Sequence, residues 1–95
     1  MIAAVATLRT KPGTQAEFEA AFNELAAAVR ANEPGNKLYQ LTRSRTEEGV
    51  YKVLEIYADQ AAVEAHRAAA HFKELGAKLG PFMAGRAEVE SLDVV

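Results

Sequence analysis

The stretch from Tyr51 to Phe72 reads YKVLEIYADQAAVEAHRAAAHF, and its hydrophobic period changes midway. Its first part is rich in β-branched, aromatic and aliphatic residues, which predicts a strand. Asp59 can then accept hydrogen bonds from free backbone N–H groups, as a helix start requires. After it, the apolar residues recur at helical spacing. We therefore predict a strand that leads directly into a helix.

Glu55 and His66 interrupt the apolar pattern of this stretch. Glu55 is a carboxylate inside an apolar strand, and His66 is an imidazole on the helical stripe that carries Val63 and Ala70. A buried carboxylate is costly unless it is paired, and a nearby imidazole would be a suitable partner. The pattern indicates a pocket in which His66 acts as a general base or a substrate anchor.

Plainer interpretations of both residues stay open at this stage. A single histidine on an apolar stripe often only hydrogen-bonds a core neighbour. Glu55 has alternative partners in Arg43 and Arg45, as a salt bridge on the surface of the sheet.

The tyrosines and the second histidine allow similar choices. Tyr39 and Tyr57 are placed in the pocket, where a phenol can hydrogen-bond an oxygenated ligand. Tyr51, near a turn, is assigned to the core with its hydroxyl at the rim. His71 lies at a helix break, as a cap or as a residue of the pocket edge.

Composition excludes several classes of protein. The 95 residues make one domain, 1–95, with 49% hydrophobic and 25% charged residues and a net charge of −2, so we expect no nucleic-acid partner. The absence of cysteine excludes disulfides, thiolate metal sites and a cysteine nucleophile. We see no signal peptide and no apolar run near the ~20 residues that span a bilayer. A soluble, cytoplasmic protein without a membrane partner is expected.

The first third of the chain predicts a strand and a helix. Residues 2–10 are an apolar strand, which Lys11-Pro12-Gly13 ends. Thr14 and Glu17 have the spacing of a capping box. The helix that follows buries one stripe at steps of four, three and four, made of Phe18, Phe22, Leu25 and Val29.

The remaining segments complete the order strand, helix, strand, strand, helix, strand. Residues 37–46 alternate as a strand, and Glu47-Glu48-Gly49 joins them to the next strand as a hairpin. Residues 59–79 form one helix or two with a kink, and residues 86–94 form the last strand. This order predicts an α+β, ferredoxin-like split βαβ fold with a four-stranded antiparallel sheet and helices on one face.

The strands also predict a partner. In the first strand Ala4 and Leu8 lie on one side and Val5 on the other, and in the third strand Leu54 opposes Val53. A sheet that is covered on one face only should alternate between apolar and polar residues, and these strands do not. We predict a homodimer in which the two sheets pack together.

No motif for a cofactor or metal is present. Two histidines five residues apart, without a matching set of carboxylates or cysteines, make a poor metal site. There is no phosphate-binding glycine loop, nucleophile elbow or dinucleotide fingerprint. We therefore expect neither a metal nor a bound cofactor.

The ordered set of motifs resembles the antibiotic biosynthesis monooxygenase family, in particular its small stand-alone members of the quinol monooxygenase type. The resemblance spans nearly the whole chain and is carried by Glu33-Pro34-Gly35-Asn36, Tyr39-Gln40-Leu41, Arg43-Ser44, Glu55-Ile56-Tyr57-Ala58-Asp59, Ala65-His66 and His71-Phe72-Lys73. It implies a dimeric α+β barrel with a pocket between sheet and helices in each subunit. It also implies cofactor-free oxygenation by O₂ of a quinol, polyphenol or anthrone-like substrate.

The resemblance also suggests roles for individual residues. His66 would be the catalytic base or anchor and Glu55 the residue that orients it. The substrate would contact the pocket wall and edge, made of Tyr39, Tyr57, His71, Phe72 and Arg43.

The same superfamily includes proteins with other activities. The haem-degrading branch has an Asn on the first strand, which is absent here, and has a Trp about where His66 stands. Haem degradation is therefore disfavoured. Two alternatives remain open: an isomerase of a small oxygenated metabolite and a non-catalytic ligand-binding or stress-response dimer.

Overall fold

A computed structural model describes all of residues 1–95 and shows an α+β fold with one antiparallel sheet. Its elements in chain order are β1 (Ile2–Arg9), α1 (Gln15–Asn32), β2 (Asn36–Arg43), β3 (Val50–Tyr57), α2 (Gln60–Ala68), α3 (Ala70–Ala77), a 3₁₀ turn (Gly80–Phe82) and β4 (Glu88–Asp93). The four strands lie in the order β2-β3-β1-β4, and every neighbouring pair is antiparallel. This arrangement confirms the predicted ferredoxin-like fold.

The core lies between α1 and the facing side of β1, β2 and β3. The predicted stripe of α1 is buried as expected, because its spacing puts Phe18, Phe22 and Leu25 on one side of the helix. Across from it, Leu8 and Val53 fill the sheet side of the core. This packing fixes α1 against the sheet and therefore fixes the turn that follows its last residue.

Two local predictions are wrong. Thr14 precedes α1 but forms no capping box: its hydroxyl donates to the carbonyl of Lys11 at 2.7 Å and makes no bond to the helix N–H groups. β2 ends at Arg43 rather than at residue 46, because the hydroxyl of Ser44 accepts hydrogen bonds from two backbone N–H groups and starts a turn. Gly49 closes that turn at φ +77°, a conformation that suits glycine.

The second crossover consists of two helices, which decides the question that the pattern left open. Asp59 caps α2, since its Oδ1 accepts from the N–H of Ala62 at 2.9 Å, as predicted. Ala69 separates α2 from α3 with an extended backbone at ψ 136°. No glycine or proline marks this break. The extended residue Ala69 lets α3 start in a new direction, so the first residues of α3 come back towards His66.

The sheet face opposite the helices is not covered by any other part of the chain. The side chains of Leu38, Leu54 and Leu92 project from it and are exposed. The helices therefore cover one face only, as the two-sided apolar pattern of the strands required. None of the helices has the length and apolar character needed to cross a membrane.

Candidate functional site

A cavity of about 830 Å³ lies between the helix-facing side of the sheet and the helices. Most of the side chains that line it are hydrophobic. The cavity reaches the surface along β4, where Val89 lines it and remains 56% exposed. Of the lining residues with polar side-chain atoms, four are buried or half-buried: Tyr39, Glu55, Tyr57 and His66.

His66 combines burial with a free nitrogen. The residue is 4% exposed, and its Nδ1 lies 2.9 Å and 3.1 Å from the two carboxylate oxygens of Glu33. A carboxylate accepts hydrogen bonds and does not donate them, so Nδ1 carries the hydrogen, and in the neutral ring the lone pair is on Nε2. Nε2 has no partner within the chain. It is not sealed off either, since the only enclosed and unpartnered side-chain atom is Nδ2 of Asn36.

Glu33 is the residue that orients His66, and the prediction that Glu55 does so is wrong. Glu33 occupies the turn between α1 and β2, and its side chain is 8% exposed. Glu55 instead accepts a hydrogen bond of 2.5 Å from the hydroxyl of Tyr57. The two residues are neighbours on the same face of β3, so their side chains meet without help from the helices.

Glu55 does line the cavity, and its chemistry differs from that of a surface carboxylate. Burial raises the pKa of Glu55, although the hydrogen bond from Tyr57 and the nearby His66 lower it in part. The alternative salt bridge from Glu55 to Arg43 or Arg45 does not form. One carboxyl oxygen of Glu55 accepts from Tyr57, and the other is not hydrogen-bonded within the chain.

His71 binds Glu33 from the other side. Its Nε2 contacts Oε2 of Glu33, so a single carboxylate bridges the two histidines. His71 does not line the cavity, and its predicted place at the edge of the pocket is corrected. The reason is the break before α3, which turns this side chain towards Glu33.

Arg43 also lies outside the cavity, contrary to the prediction that it contacts the substrate. Its guanidinium forms two hydrogen bonds, of 3.0 and 3.1 Å, with the carboxylate of Glu19 on α1. The hydroxyl of Tyr51 donates to the same carboxylate at 2.6 Å. Hydrogen bonds from Tyr51 and Arg43 lower the pKa of Glu19. These contacts join α1 to the sheet and leave Arg43 no direct role in the pocket.

An aromatic wall surrounds the ring of His66. The centroid of Phe72 lies 4.3 Å from that of His66, Tyr39 lies at 5.2 Å, and Tyr57 lies at 5.6 Å. Burial raises the pKa of both tyrosines, so each phenol keeps its proton and serves as a donor. Tyr39, Tyr57 and Phe72 therefore line the cavity beside His66.

The chain contains no group of three or more His, Cys, Asp or Glu side chains arranged to hold a metal ion. The polar side chains in the cavity lining, among them His66 and Glu55, can transfer protons and form hydrogen bonds. Arg67 and Lys73, which the sequence did not single out, add two cations to the cavity lining.

Known proteins share both the sequence and the architecture. The family description "Antibiotic biosynthesis monooxygenase" matches residues 1–78. The Bacillus subtilis (strain 168) protein "Putative monooxygenase YcnE" is 36% identical over 78 residues, which are 82% of this chain and 81% of the relative.

Solved structures agree with this match. A Caulobacter crescentus CB15 structure titled as a putative antibiotic biosynthesis monooxygenase is 56% identical, with a TM-score of 0.96, over 99% of this chain and 89% of the other. PA3566 from Pseudomonas aeruginosa is 23% identical with a TM-score of 0.86, over 99% and 93% of the two chains, and shows the shared fold alone. The chain therefore belongs to the antibiotic biosynthesis monooxygenase family.

Proposed function

We propose that this protein is a monooxygenase that uses O₂ to oxidise a quinol, polyphenol or anthrone-like aromatic, without a cofactor. One observation carries the proposal: Nε2 of His66 has no hydrogen-bond partner within the chain, in a residue that lines a mostly apolar cavity, while Glu33 holds Nδ1. Membership of the family supports the oxygenase class. The substrate class is the one that the resemblance to the quinol monooxygenase type implies, and the polar side chains of the pocket are compatible with it.

The reaction begins with a proton transfer. Nε2 of His66 removes a proton from a phenolic O–H or an activated C–H, and the resulting electron-rich anion transfers an electron to O₂. A hydroquinone plus O₂ gives a hydroxyquinone and water, and an anthrone plus O₂ gives an anthraquinone and water. The substrate supplies every electron in both cases, which is why no reducing cofactor is needed.

The other polar side chains suit a substrate that carries oxygen atoms. Tyr39 can donate its hydroxyl hydrogen, since it has no acceptor within the chain. The second oxygen of Glu55 can accept from a substrate hydroxyl. Phe72 offers an aromatic face next to His66. A cavity of about 830 Å³ lies within the usual range for small-molecule sites and accommodates a ligand of several fused rings.

A second copy of the chain is the partner that we propose for the uncovered sheet face. That face presents Leu38, Leu54 and Leu92 to solvent, and a contiguous apolar surface of this kind marks an interface. A homodimer formed by packing the two sheets would bury these side chains and leave both cavities accessible along β4.

The test is oxygen uptake by metal-free protein with a panel of hydroquinones and anthrones. We expect uptake above the spontaneous rate, and we expect His66→Ala to abolish the excess. Arg43→Gln is the matched control, because Arg43 is a charged residue that lies outside the cavity. Uptake that survives in His66→Ala, or that Arg43→Gln removes, would contradict the assignment of the base.

An isomerase of a small oxygenated metabolite is the second candidate. It is favoured by the presence of two different proton-transfer groups, His66 and Glu55, in one cavity. An isomerase would exchange substrate hydrogen with deuterated water under nitrogen and would consume no oxygen. Ligand binding without either reaction would instead indicate a binding protein.

A further inference from the structure

The carboxylate of Glu33 connects the cavity histidine to a histidine that reaches the surface. We propose that His66, Glu33 and His71 form a proton path, in which Glu33 and His71 carry the proton of His66 to solvent and return it. The inference rests on the proposed role of His66 as the base. In this proposal Glu33 and His71 do not contact the substrate; Glu33 positions the ring of His66, and both residues pass its proton on.

The exposure of the three side chains increases in one direction. The side chain of His66 is 6% exposed and faces the cavity, that of Glu33 is 8% exposed, and that of His71 is 19% exposed. Each contacts the next, since Nδ1 of His66 and Nε2 of His71 both bind the Glu33 carboxylate. Nδ1 of His71 has no partner within the chain. The path therefore leaves the protein without using the mouth of the cavity.

The other ionisable groups around His66 cannot replace this path. Tyr39 and Tyr57 keep their protons because burial raises the pKa of each. Glu55 already accepts the hydrogen of Tyr57 and lies on the cavity wall, so a proton placed there stays beside the substrate. Arg67 follows His66 on α2, and its guanidinium has only donor groups and cannot accept a proton.

The reaction benefits from moving the proton away. While the ring of His66 carries hydrogen on both nitrogens, it can return a proton from Nε2 to the substrate anion before O₂ reacts with that anion. Loss of the Nδ1 proton to Glu33 leaves a neutral imidazole, which is a far weaker acid, and the returning proton later protonates the oxygen atom that leaves as water.

The transfer balances without any redox partner. The substrate O–H or C–H bond breaks and a bond forms between that hydrogen and Nε2 of His66. The Nδ1–H bond of His66 breaks as its hydrogen binds Oε1 of Glu33. In the starting state of the proposed path, His71 carries hydrogen on both ring nitrogens; its Nε2–H donates to Oε2 of Glu33, and its Nδ1 hydrogen is released to water. One proton leaves the substrate and one reaches solvent, so the net charge of the three side chains does not change.

An NMR experiment tests the path without any catalytic turnover. The Nδ1–H hydrogen of His66 is buried in a hydrogen bond, and its exchange with bulk water is measured by ¹H–¹⁵N spectroscopy. His71→Gln keeps a donor opposite Glu33 but cannot pass a proton on, and His71→Lys keeps a positive charge but holds its protons near neutral pH. We expect both variants to slow this exchange, and we expect Glu74→Gln, an exposed change on the same helix, to leave it unchanged.

Oxygen uptake provides the second measurement. We expect His71→Gln to lower kcat by at least about tenfold with little change in KM, because a proton-transfer step is affected while the cavity is intact. Added imidazole should restore part of the lost rate. Unchanged exchange in both His71 variants would overturn the proton path whether or not the protein consumes oxygen. Absence of oxygen uptake in the unaltered protein would overturn the proposed function instead, so the two failures are distinguishable.

Discussion

Replacing Glu33 with glutamine is the sharpest test of how the site is built. The carboxylate accepts hydrogen bonds from both His66 and His71 and is almost fully buried. A carboxamide has one oxygen, so it can accept from one imidazole while its NH₂ group faces the other. Hydrogen bonds to charged groups contribute about 1.5–3 kcal/mol each and neutral ones about 0.5–1.5 kcal/mol, and Glu33→Gln replaces two bonds of the first kind with two of the second. We therefore expect the free energy of unfolding to fall by about 1.5–3 kcal/mol.

The same change should affect the chemistry more than the stability. If the amide NH₂ faces Nδ1 of His66, the ring takes the tautomer with hydrogen on Nε2 and can no longer accept a proton there. Loss of a positioned general base costs on the order of 10²–10⁴ in rate, and a comparable tautomer error in a serine protease triad falls in that range. Oxygen uptake with the best substrate of the panel should fall accordingly.

The measurement combines urea unfolding, oxygen uptake and ¹⁵N chemical shifts of the His66 ring. Glu19→Gln is the matched control, because Glu19 also accepts hydrogen bonds from two side chains, Tyr51 and Arg43, but lies outside the cavity. The control should lower stability and leave turnover unchanged. Near-normal turnover in Glu33→Gln, together with a stability change within about 0.5 kcal/mol, would refute the role of Glu33.

Other changes test the cavity wall, the packing of α2 and the uncovered sheet face. Burial raises the pKa of Glu55 above its ordinary value of 4.5, so ionised Glu55 destabilises the folded protein at neutral pH. We expect thermal scans to show a higher melting temperature for Glu55→Gln at neutral pH. This increase in melting temperature should vanish as the pH falls below 4.5, where the carboxyl is protonated in the folded and the unfolded chain. A β-carbon at Gly35 would lie 2.7 Å from Cβ of Ala62, so Gly35→Ala should cost about 1–3 kcal/mol in urea unfolding. Gly76 has open space around it and lies in α3, so Gly76→Ala should instead stabilise by roughly 0.5–1 kcal/mol. Leu54→Glu places a charge on the uncovered face, so we expect light scattering to give the mass of a monomer for this variant and the mass of the proposed dimer for the unaltered chain; equal masses would contradict the proposed interface.

The elements that were predicted well depend on periodicity within a single segment. The stripe of Phe18, Phe22 and Leu25 is buried because helical spacing alone puts these side chains on one side. Asp59 caps α2 because its side chain needs only the next turn of backbone as a partner. The same local rule failed at Thr14, whose hydroxyl donates to the carbonyl of Lys11 and makes no bond to the helix N–H groups.

The location of His66 was predictable, but its partner was not. Periodicity puts His66 on the inner side of α2 and Glu55 on the inner side of β3, and both do line the cavity. Neither period determines the direction of a side chain in a turn. Glu33 stands 33 residues before His66, and it reaches the imidazole only because α1 is packed against the sheet.

The break at Ala69 shows why the site needs more than a correct list of elements. A continuous helix from Asp59 would keep His71 five residues beyond His66, about 500° around the helix axis and therefore pointing away from it. With an extended residue between α2 and α3, both imidazoles reach the same carboxylate. A single backbone conformation thus brings three segments together, and it leaves one imidazole at the cavity and the other near the surface. Any substitution that restores a straight helix through Ala69 should separate the two histidines while leaving the sheet intact.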